Sequence, residues 1–247
     1  MRRALFFALA CLLAPMSHAG EVQVAVAANF AAPLAKIGEQ FTAATGHVLK
    51  VSTGATGKFY AQIVHGAPFE VLLAADDETP RKLVAEGHGV AGTAFTYARG
   101  RLVLWSAQTG LVDAQGAVLA SAKVKHVAIA NPKVAPYGQA AMEVMRARGL
   151  ADALAPKLVT GESIAQTFQF VATGNAEIGF VALAQVAVPG RPAGGSHWLV
   201  PAHLHGEIRQ DAVLLRPGAK NPAARALLDF LRSEPAMAVI REFGYAA

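Results

Sequence analysis

Cysteine and charge are the two scarce features of this sequence. Its 247 residues include one cysteine, Cys11, which lies in an apolar stretch near the N-terminus. Without that stretch the chain has no cysteine, which excludes disulfides, thiolate metal ligation and a thiol nucleophile. Charged residues make up 16%, below the ~25% of typical soluble proteins. Apolar residues are nevertheless dispersed beyond the N-terminus, which argues against low complexity, disorder or a polytopic membrane protein.

The N-terminus has the pattern of a secretory signal. Arg2 and Arg3 precede an apolar segment at residues 4–14, which is shorter than the ~20 residues that span a bilayer. Ser17, His18 and Ala19 form a small-x-small cleavage site. We therefore predict that residues 1–19 are a signal peptide cleaved near Ala19. The alternative is an N-terminal anchor that is left in place.

The remaining charge is mildly basic. Without the two N-terminal arginines, the 22 basic residues fall to 20, against 17 acidic ones, a net charge of +3. These charges are scattered along the chain, so we expect no nucleic-acid partner.

Short apolar strands alternate with helical segments in the first part of the chain. This order is typical of βαβ units, which build a parallel sheet covered by helices on both faces. The predicted strands are 21–27, 48–52 and 70–74, and the predicted helices are 31–44, 58–64 and 79–86.

A long strand interrupts this series at residues 95–106, where we expect the chain to leave one sheet and enter another. A second series then follows, with another long strand at 208–215. Two series joined by two long strands predict two lobes with a cleft between them. The second series comprises strands 126–130, 157–160 and 178–182 with helices 137–147 and 163–173, and the chain ends with helices 222–232 and 235–243.

Four strand-to-helix junctions, two in each predicted lobe, contain small or polar residues: 27–30, 52–57, 131–138 and 161–164. A helix start offers unpaired N–H groups and the positive end of its dipole. If the junctions converge, they form an anion site built from neutral donors. Taken singly, each junction has an ordinary alternative, because Asn, Ser and Thr are also common helix caps.

Other motifs are weaker. Residues 52–59 (STGATGKF) lack the first glycine and the final Ser or Thr of a nucleotide phosphate loop. His197, His203 and His205 could hold a metal, but no carboxylate follows at a ligand spacing, and a surface loop is the favoured interpretation. Asp76 and its two acidic neighbours favour a helix start over catalysis. There is no GxSxG motif, so a hydrolase elbow is absent.

Residues 25–48, 52–83, 129–150 and 176–186 together resemble the periplasmic molybdate-binding proteins of bacterial ABC importers. Their most specific stretches are AQIxxGAPxxVxxxAD and NPxxAPYG. The resemblance implies an α/β type II periplasmic-binding-protein fold, in which two crossover strands join the lobes. We predict one lobe at residues 20–99 plus 207–247 and the other at 100–206. The two long strands, near 97–104 and 208–214, are the predicted hinges.

The resemblance also implies the site residues. Asn29 and Thr56 correspond to donors from the first lobe, and Tyr137 and Ile164 to backbone N–H donors from the second. Two positions depart from the family pattern: Ala28 replaces a hydroxyl residue, and Ala182 replaces a tyrosine. We expect the two-hydrogen amide of Asn29 to compensate.

The implied function is non-catalytic. A periplasmic monomer would capture molybdate, and also tungstate, and deliver it to an inner-membrane ABC permease, with no cofactor and no directly bound metal. Binding of another tetrahedral oxyanion such as sulfate is the nearest alternative, and an exported hydrolase or metalloenzyme is a further one.

Overall fold

The computed structural model describes residues 19–190 and 194–246. The predicted signal peptide therefore lies outside the described residues except for Ala19. Within the described ranges the strands are β1 Glu21–Ala27, β2 Val48–Gly54, β3 Val71–Leu73, β4 Phe95–Gly100, β5 Leu102–Ser106, β6 Val127–Ala130, β7 Leu158–Gly161, β8 Ile178–Ala182, β9 Ser196–Leu199 and β10 Ile208–Leu214. The helices are α1 Ala31–Thr45, α2 Thr56–Val64, α3 Glu78–Ala85, α4 Pro136–Ala147, α5 Ala151–Leu154, α6 Ile164–Ala172, α7 Leu183–Val186, α8 Pro222–Leu231 and α9 Glu234–Glu242.

The strands form two separate five-stranded sheets. Their orders are β2-β1-β3-β10-β4 and β7-β6-β8-β5-β9. We call the first sheet with its helices the first lobe and the second sheet with its helices the second lobe. The two-lobe α/β architecture predicted from the sequence is confirmed.

Both sheets are mixed, which corrects the prediction of parallel sheets. Strand β1 is parallel to β2 and β3, and β6 is parallel to β7 and β8. Strand β10 is antiparallel to β3 and β4, and β5 is antiparallel to β8 and β9. The antiparallel strands are those beside the connections between the lobes, where no βαβ crossover sets the strand direction.

The chain passes between the lobes at two places. The predicted long strand at 95–106 is two strands, β4 in the first lobe and β5 in the second, separated by Arg101. The second passage runs through residues 200–207, while β10 pairs only with strands of the first lobe. The position predicted for the second crossover is therefore shifted, because β10 begins after the crossing.

Alternation along the strands explains how each sheet buries both faces. In β1, Val24 packs on the face that carries Phe30 and Leu34, whereas Ala25 packs on the opposite face with Phe59. Helix α1 places Leu34, Ile37 and Phe41 at helical spacing, and each is at most 1% exposed. Helices thus cover the first sheet from both sides.

Residues 196–199 form β9, a strand that the sequence pattern does not predict. This strand pairs with β5 at the edge of the second sheet. Only Trp198 of its four residues is buried, so the apolar pattern is weak. No helix within the described ranges is both long and apolar enough to cross a bilayer.

Gly138 allows α4 to pack closely on β6. A Cβ built on Gly138 would lie 2.0 Å from the backbone oxygen of Ala130, which is far inside van der Waals contact. The absence of a side chain therefore sets the position at which α4 begins.

We predict that Gly138→Ala lowers the free energy of unfolding by about 2 kcal/mol, because α4 or β6 must shift to relieve the clash. Denaturant unfolding measures this. Gly206→Ala is the matched control, since a Cβ there meets only the Glu143 carboxylate at 3.6 Å. Equal stability of the two variants would contradict the packing argument.

Candidate anion-binding site

A small cavity lies between the two lobes. The volume of the cavity is about 10 Å³, counted as the space that the centre of a water-sized sphere can occupy. This volume is roughly enough for one such sphere. The cavity brings together all four predicted site residues, and their role as ligands stays a prediction. Its lining consists of Ala27, Ala28, Asn29, Gly54, Ala55, Thr56, Ala75, Ala135, Pro136, Tyr137 and Ile164.

Four helix starts meet at this cavity. They belong to α2, α4, α6 and a 3-10 helix at Ala28–Phe30 that leads into α1. Three of these helices have alanine as N-cap, namely Ala27, Ala55 and Ala135, and none of the three makes a side-chain cap hydrogen bond. The capping alternative therefore does not hold at these junctions. No N-cap side chain therefore occupies the first-turn N–H groups of these three helices.

The fourth helix start is capped, yet it still offers a donor. The side chain of Ser163 accepts a hydrogen bond from the N–H of Gln166, and its backbone oxygen accepts from Thr167. The N–H of Ile164, in the first turn of α6, is left without an acceptor within its helix. Ile164 is 4% exposed and lines the cavity.

Tyr137 supplies the available N–H at the start of α4. Pro136, the first helical residue, has no N–H. The N–H of Gly138 donates to the backbone oxygen of Ala135 at 2.9 Å. Of the first three residues of the helix, only Tyr137 therefore has an N–H free for a ligand.

Thr56 offers both a backbone and a side-chain donor. Its Oγ1 accepts a hydrogen bond from the N–H of Ala75 at 2.9 Å, and the residue is 1% exposed. That bond occupies one lone pair and leaves the hydroxyl hydrogen to donate elsewhere. Since Thr56 and Ala75 both line the cavity, the hydroxyl is placed to donate into it.

The amide of Asn29 does not act as we expected. Its Nδ2 donates to Oε1 of Gln210 at 2.9 Å and to the hydroxyl of Tyr245 at 3.0 Å. An amide has two hydrogens, so both are committed within the protein. The compensation expected from this amide is therefore corrected, and the backbone N–H of Asn29, in the first turn of the 3-10 helix, is the donor left for a ligand.

The two residues that depart from the family pattern, Ala28 and Ala182, lie at different places relative to the cavity. Ala28 lines the cavity and contributes backbone only. Ala182 does not line it, and its N–H donates to Oε1 of Gln185 at 3.0 Å. The same Gln185 side chain donates to the backbone oxygen of Ile164 at 3.1 Å.

The cavity lining contains no charged side chain. The nearest cation along the second junction, Lys58, pairs instead with Glu162 of the second lobe, with 2.5 Å between Nζ and Oε2. Beside this pair, the N–H of Gly57 donates to the backbone oxygen of Val134 at 2.9 Å. These contacts join the lobes, so the structure shows the cleft closed.

The competing sites gain no support from the geometry. In the described part of the chain no three His, Cys, Asp or Glu side chains are grouped to hold a metal. His197 lies in β9, and His203 lies in a 3-10 helix at Ala202–Leu204. Asp76 accepts hydrogen bonds from the N–H and hydroxyl of Thr79 at the start of α3.

Three polar residues behind the cavity were not identified from the sequence. Tyr97, Gln210 and Tyr245 are buried. The Tyr97 hydroxyl donates to Oε1 of Gln210, and Nδ2 of Asn29 donates to Gln210 and to Tyr245. Burial raises the pKa of Tyr97 and Tyr245 well above their ordinary value, and that of Tyr137 likewise. All three hydroxyls are therefore protonated at neutral pH. Gln210 lies between Arg209 and Asp211 in β10, so nothing in the local pattern marked it as a buried residue.

The comparisons with known proteins agree on one family. A model described as "Bacterial extracellular solute-binding protein" matches residues 22–246. The molybdate-binding protein ModA of Azotobacter vinelandii is 59% identical over 234 residues, which cover 95% of this chain and 93% of the relative. The molybdate-binding protein ModA of Rhodobacter capsulatus is 54% identical over 238 residues, covering 96% and 93%. The solved structure of the Azotobacter vinelandii periplasmic molybdate-binding protein superposes with a TM-score of 0.89 at 41% identity, covering 92% of this chain and 99% of that one.

Asp76 adds a pH dependence near the site. Burial is the largest influence on its carboxyl and raises its pKa above the ordinary 3.8, against the lowering effect of the hydrogen bonds from Thr79. A raised pKa means that the folded state favours the protonated acid. The ionised form therefore costs stability once the pH rises through the folded pKa.

We predict that Asp76→Asn raises the melting temperature at pH 7, because it keeps the shape of the side chain and removes a partly buried charge. The advantage should shrink as the pH falls towards 3.8, since the native carboxyl is then neutral too. Thermal unfolding across pH 4 to 8 measures this, with Asp152→Asn on the surface as control. A stability gain that does not change with pH would contradict the burial argument.

Proposed function

Because this chain belongs to the family of bacterial extracellular solute-binding proteins, we propose that it captures molybdate in the cavity between its lobes. Its similarity to two molybdate-binding proteins at 59% and 54% identity supports this ligand. The observation that carries the proposal is the convergence of four helix starts, from both lobes, on one cavity without charged side chains.

The chemistry of the site suits a dianion. Removing an anion from water is costly unless its oxygens meet new donors. The first-turn N–H groups of Asn29, Thr56, Tyr137 and Ile164, with the Thr56 hydroxyl, can replace the hydration shell. Helix dipoles add a favourable field without placing a full positive charge against the ligand. Release is then easier than from an ion pair.

The same donors determine which anions fit. An anion that carries its own O–H, such as hydrogen phosphate, needs an acceptor that a set of donors does not offer. Sulfate has no such proton, so its rejection depends on the size of the cavity. Molybdate and tungstate are nearly the same size, and we propose that both bind.

We propose that anion binding is coupled to closure of the lobes. Residues 20–99 with 207–247 would move as one lobe and 100–206 as the other, with donors for the anion on each. A ligand held by both lobes favours the closed state by its differential affinity for it. We propose that the closed, loaded monomer in the periplasm passes molybdate to an inner-membrane ABC permease, without catalysis, a cofactor or a nucleic-acid partner.

We predict that molybdate and tungstate raise the melting temperature of the protein from residue 20 onward, because each binds only the folded state. Sulfate should give a smaller rise, and phosphate none. Thermal shift against the four anions at matched ionic strength measures this, with chloride as control. Stabilisation by sulfate equal to that by molybdate would make the protein a general oxyanion binder, and no shift with any of the four anions would contradict the proposal.

We predict that Thr56→Val raises the Kd for molybdate about tenfold, since a buried anion oxygen loses its donor, worth ~1–3 kcal/mol. Thr56→Ser keeps the hydroxyl and is the matched control, with a Kd within about threefold of the native value. Calorimetric titration gives both constants. If Thr56→Val binds like the native protein, the hydroxyl is not a ligand.

A further inference from the structure

Gln210 joins residues from both lobes behind the cavity. It lies in β10, is fully buried, and does not line the cavity. Its Oε1 accepts hydrogen bonds from Nδ2 of Asn29 at 2.9 Å and from the Tyr97 hydroxyl at 3.1 Å. Its Nε2 donates to the Tyr137 hydroxyl at 3.0 Å. Asn29 and Tyr97 belong to the first lobe, and Tyr137 belongs to the second.

A β-bulge accompanies this arrangement. The pairing of β10 with β4 shifts between Gln210 and Asp211, whose partners are Ala98 and Thr96. Tyr97 is thus the extra residue on β4. Bulges commonly redirect a side chain beside a functional site, and here the Tyr97 hydroxyl reaches both Gln210 and the backbone oxygen of Ala74.

Gly100 leaves the space in which the lobes meet. A Cβ on Gly100 would lie 2.2 Å from the Tyr137 hydroxyl and 2.5 Å from Nε2 of Gln210. Gly100 is the last residue of β4, directly before the chain passes to the second lobe at Arg101. The contact between Gln210 and Tyr137 therefore lies at the connection between the lobes.

We propose that Gln210 is a positioning residue for the anion site, which holds Asn29 of one lobe and Tyr137 of the other in the closed arrangement. The inference rests on the proposed function and extends it to a residue that does not touch the ligand. Of the three partners of Gln210, Asn29 and Tyr137 line the cavity, and both contact Gln210 through their side chains, which leaves their backbone N–H groups for a ligand.

The energetic reason is the cost of unpaired buried groups. Asn29, Tyr137 and Gln210 are each at most 2% exposed, so a polar atom that loses its partner there meets no water. Gln210 satisfies groups on both lobes at once, and closing the lobes brings the Tyr137 hydroxyl to its amide. A site already arranged in this way loses less freedom when the anion binds.

The test compares the full mature protein with Gln210→Met, Tyr137→Phe and the double variant. Methionine matches the length of glutamine without its polar atoms, and phenylalanine keeps the backbone N–H of residue 137. We expect each single variant to raise the Kd for molybdate about tenfold, equivalent to about 1.4 kcal/mol. The rise should lie mainly in a faster release rate, because the contact forms on closure.

The double variant distinguishes positioning from general destabilisation. If Gln210 acts through Tyr137, the Kd of the double variant should be about that of the single variant that binds more weakly. Independent effects would instead multiply and raise the Kd about a hundredfold over the native value. Ser106→Ala is the matched control: this buried residue of β5 loses hydrogen bonds to Glu177 and Gln108 far from the cavity, and its Kd should be unchanged. Calorimetry and stopped-flow release give the constants.

The outcomes separate the two proposals. If the native protein fails to bind molybdate, the proposed function is wrong. If it binds, while Gln210→Met and Tyr137→Phe bind and release like it, the role of Gln210 is refuted. Strictly additive losses would also refute it, because the two residues would then act independently. If Gln210→Met does not fold, the Tyr137→Phe variant alone decides. A native Kd and release rate in that variant would overturn the inference, and a higher Kd with faster release would support it.

Discussion

An anion that leaves water for a closed cavity must receive all its hydrogen bonds from the protein, and this requirement accounts for the arrangement of the whole site. Backbone N–H groups are the simplest neutral donors, but in most of a fold they are already paired. Helix starts are the exception. Here three of the four helices that meet at the cavity have alanine at the N-cap, with no side chain to occupy the free N–H groups. The small residues around the cavity are therefore part of its chemistry.

Under the proposed function, donors from two lobes couple anion binding to closure. The Gly57 to Val134 hydrogen bond and the Lys58 to Glu162 pair join the lobes beside the cavity, but an exposed ion pair contributes little on its own. The cavity between the closed lobes holds roughly one water-sized sphere. An anion with four oxygens is larger, so under the proposed function the fit depends on how far the lobes close around it. Size selection would then act at a site whose donors alone cannot distinguish molybdate from sulfate.

Structural features that depend on neighbouring residues could be predicted from the sequence, whereas contacts between residues far apart in the chain could not. Apolar periodicity predicted most strands and helices, and the four positions that the family resemblance implied lie at the four junctions and line the cavity. The N-cap alanines are visible in the sequence, but their meaning depends on where the helices point. The partners of Asn29 are 181 and 216 residues away, so nothing near Asn29 shows that its amide is already used. Gln210 and Tyr245 were missed for the same reason. The antiparallel strands were missed because apolar content does not report strand direction.

The most direct test is a crystal structure of the protein with molybdate, in which anomalous scattering locates the molybdenum atom. The account predicts one molybdenum between the two lobes, with its oxygens about 2.7–3.2 Å from the backbone nitrogens of Asn29, Thr56, Tyr137 and Ile164 and from Oγ1 of Thr56. No lysine or arginine side chain should contact it. Molybdenum bound at another surface, or bound by residues of one lobe alone with the cleft closed and empty, would contradict the account.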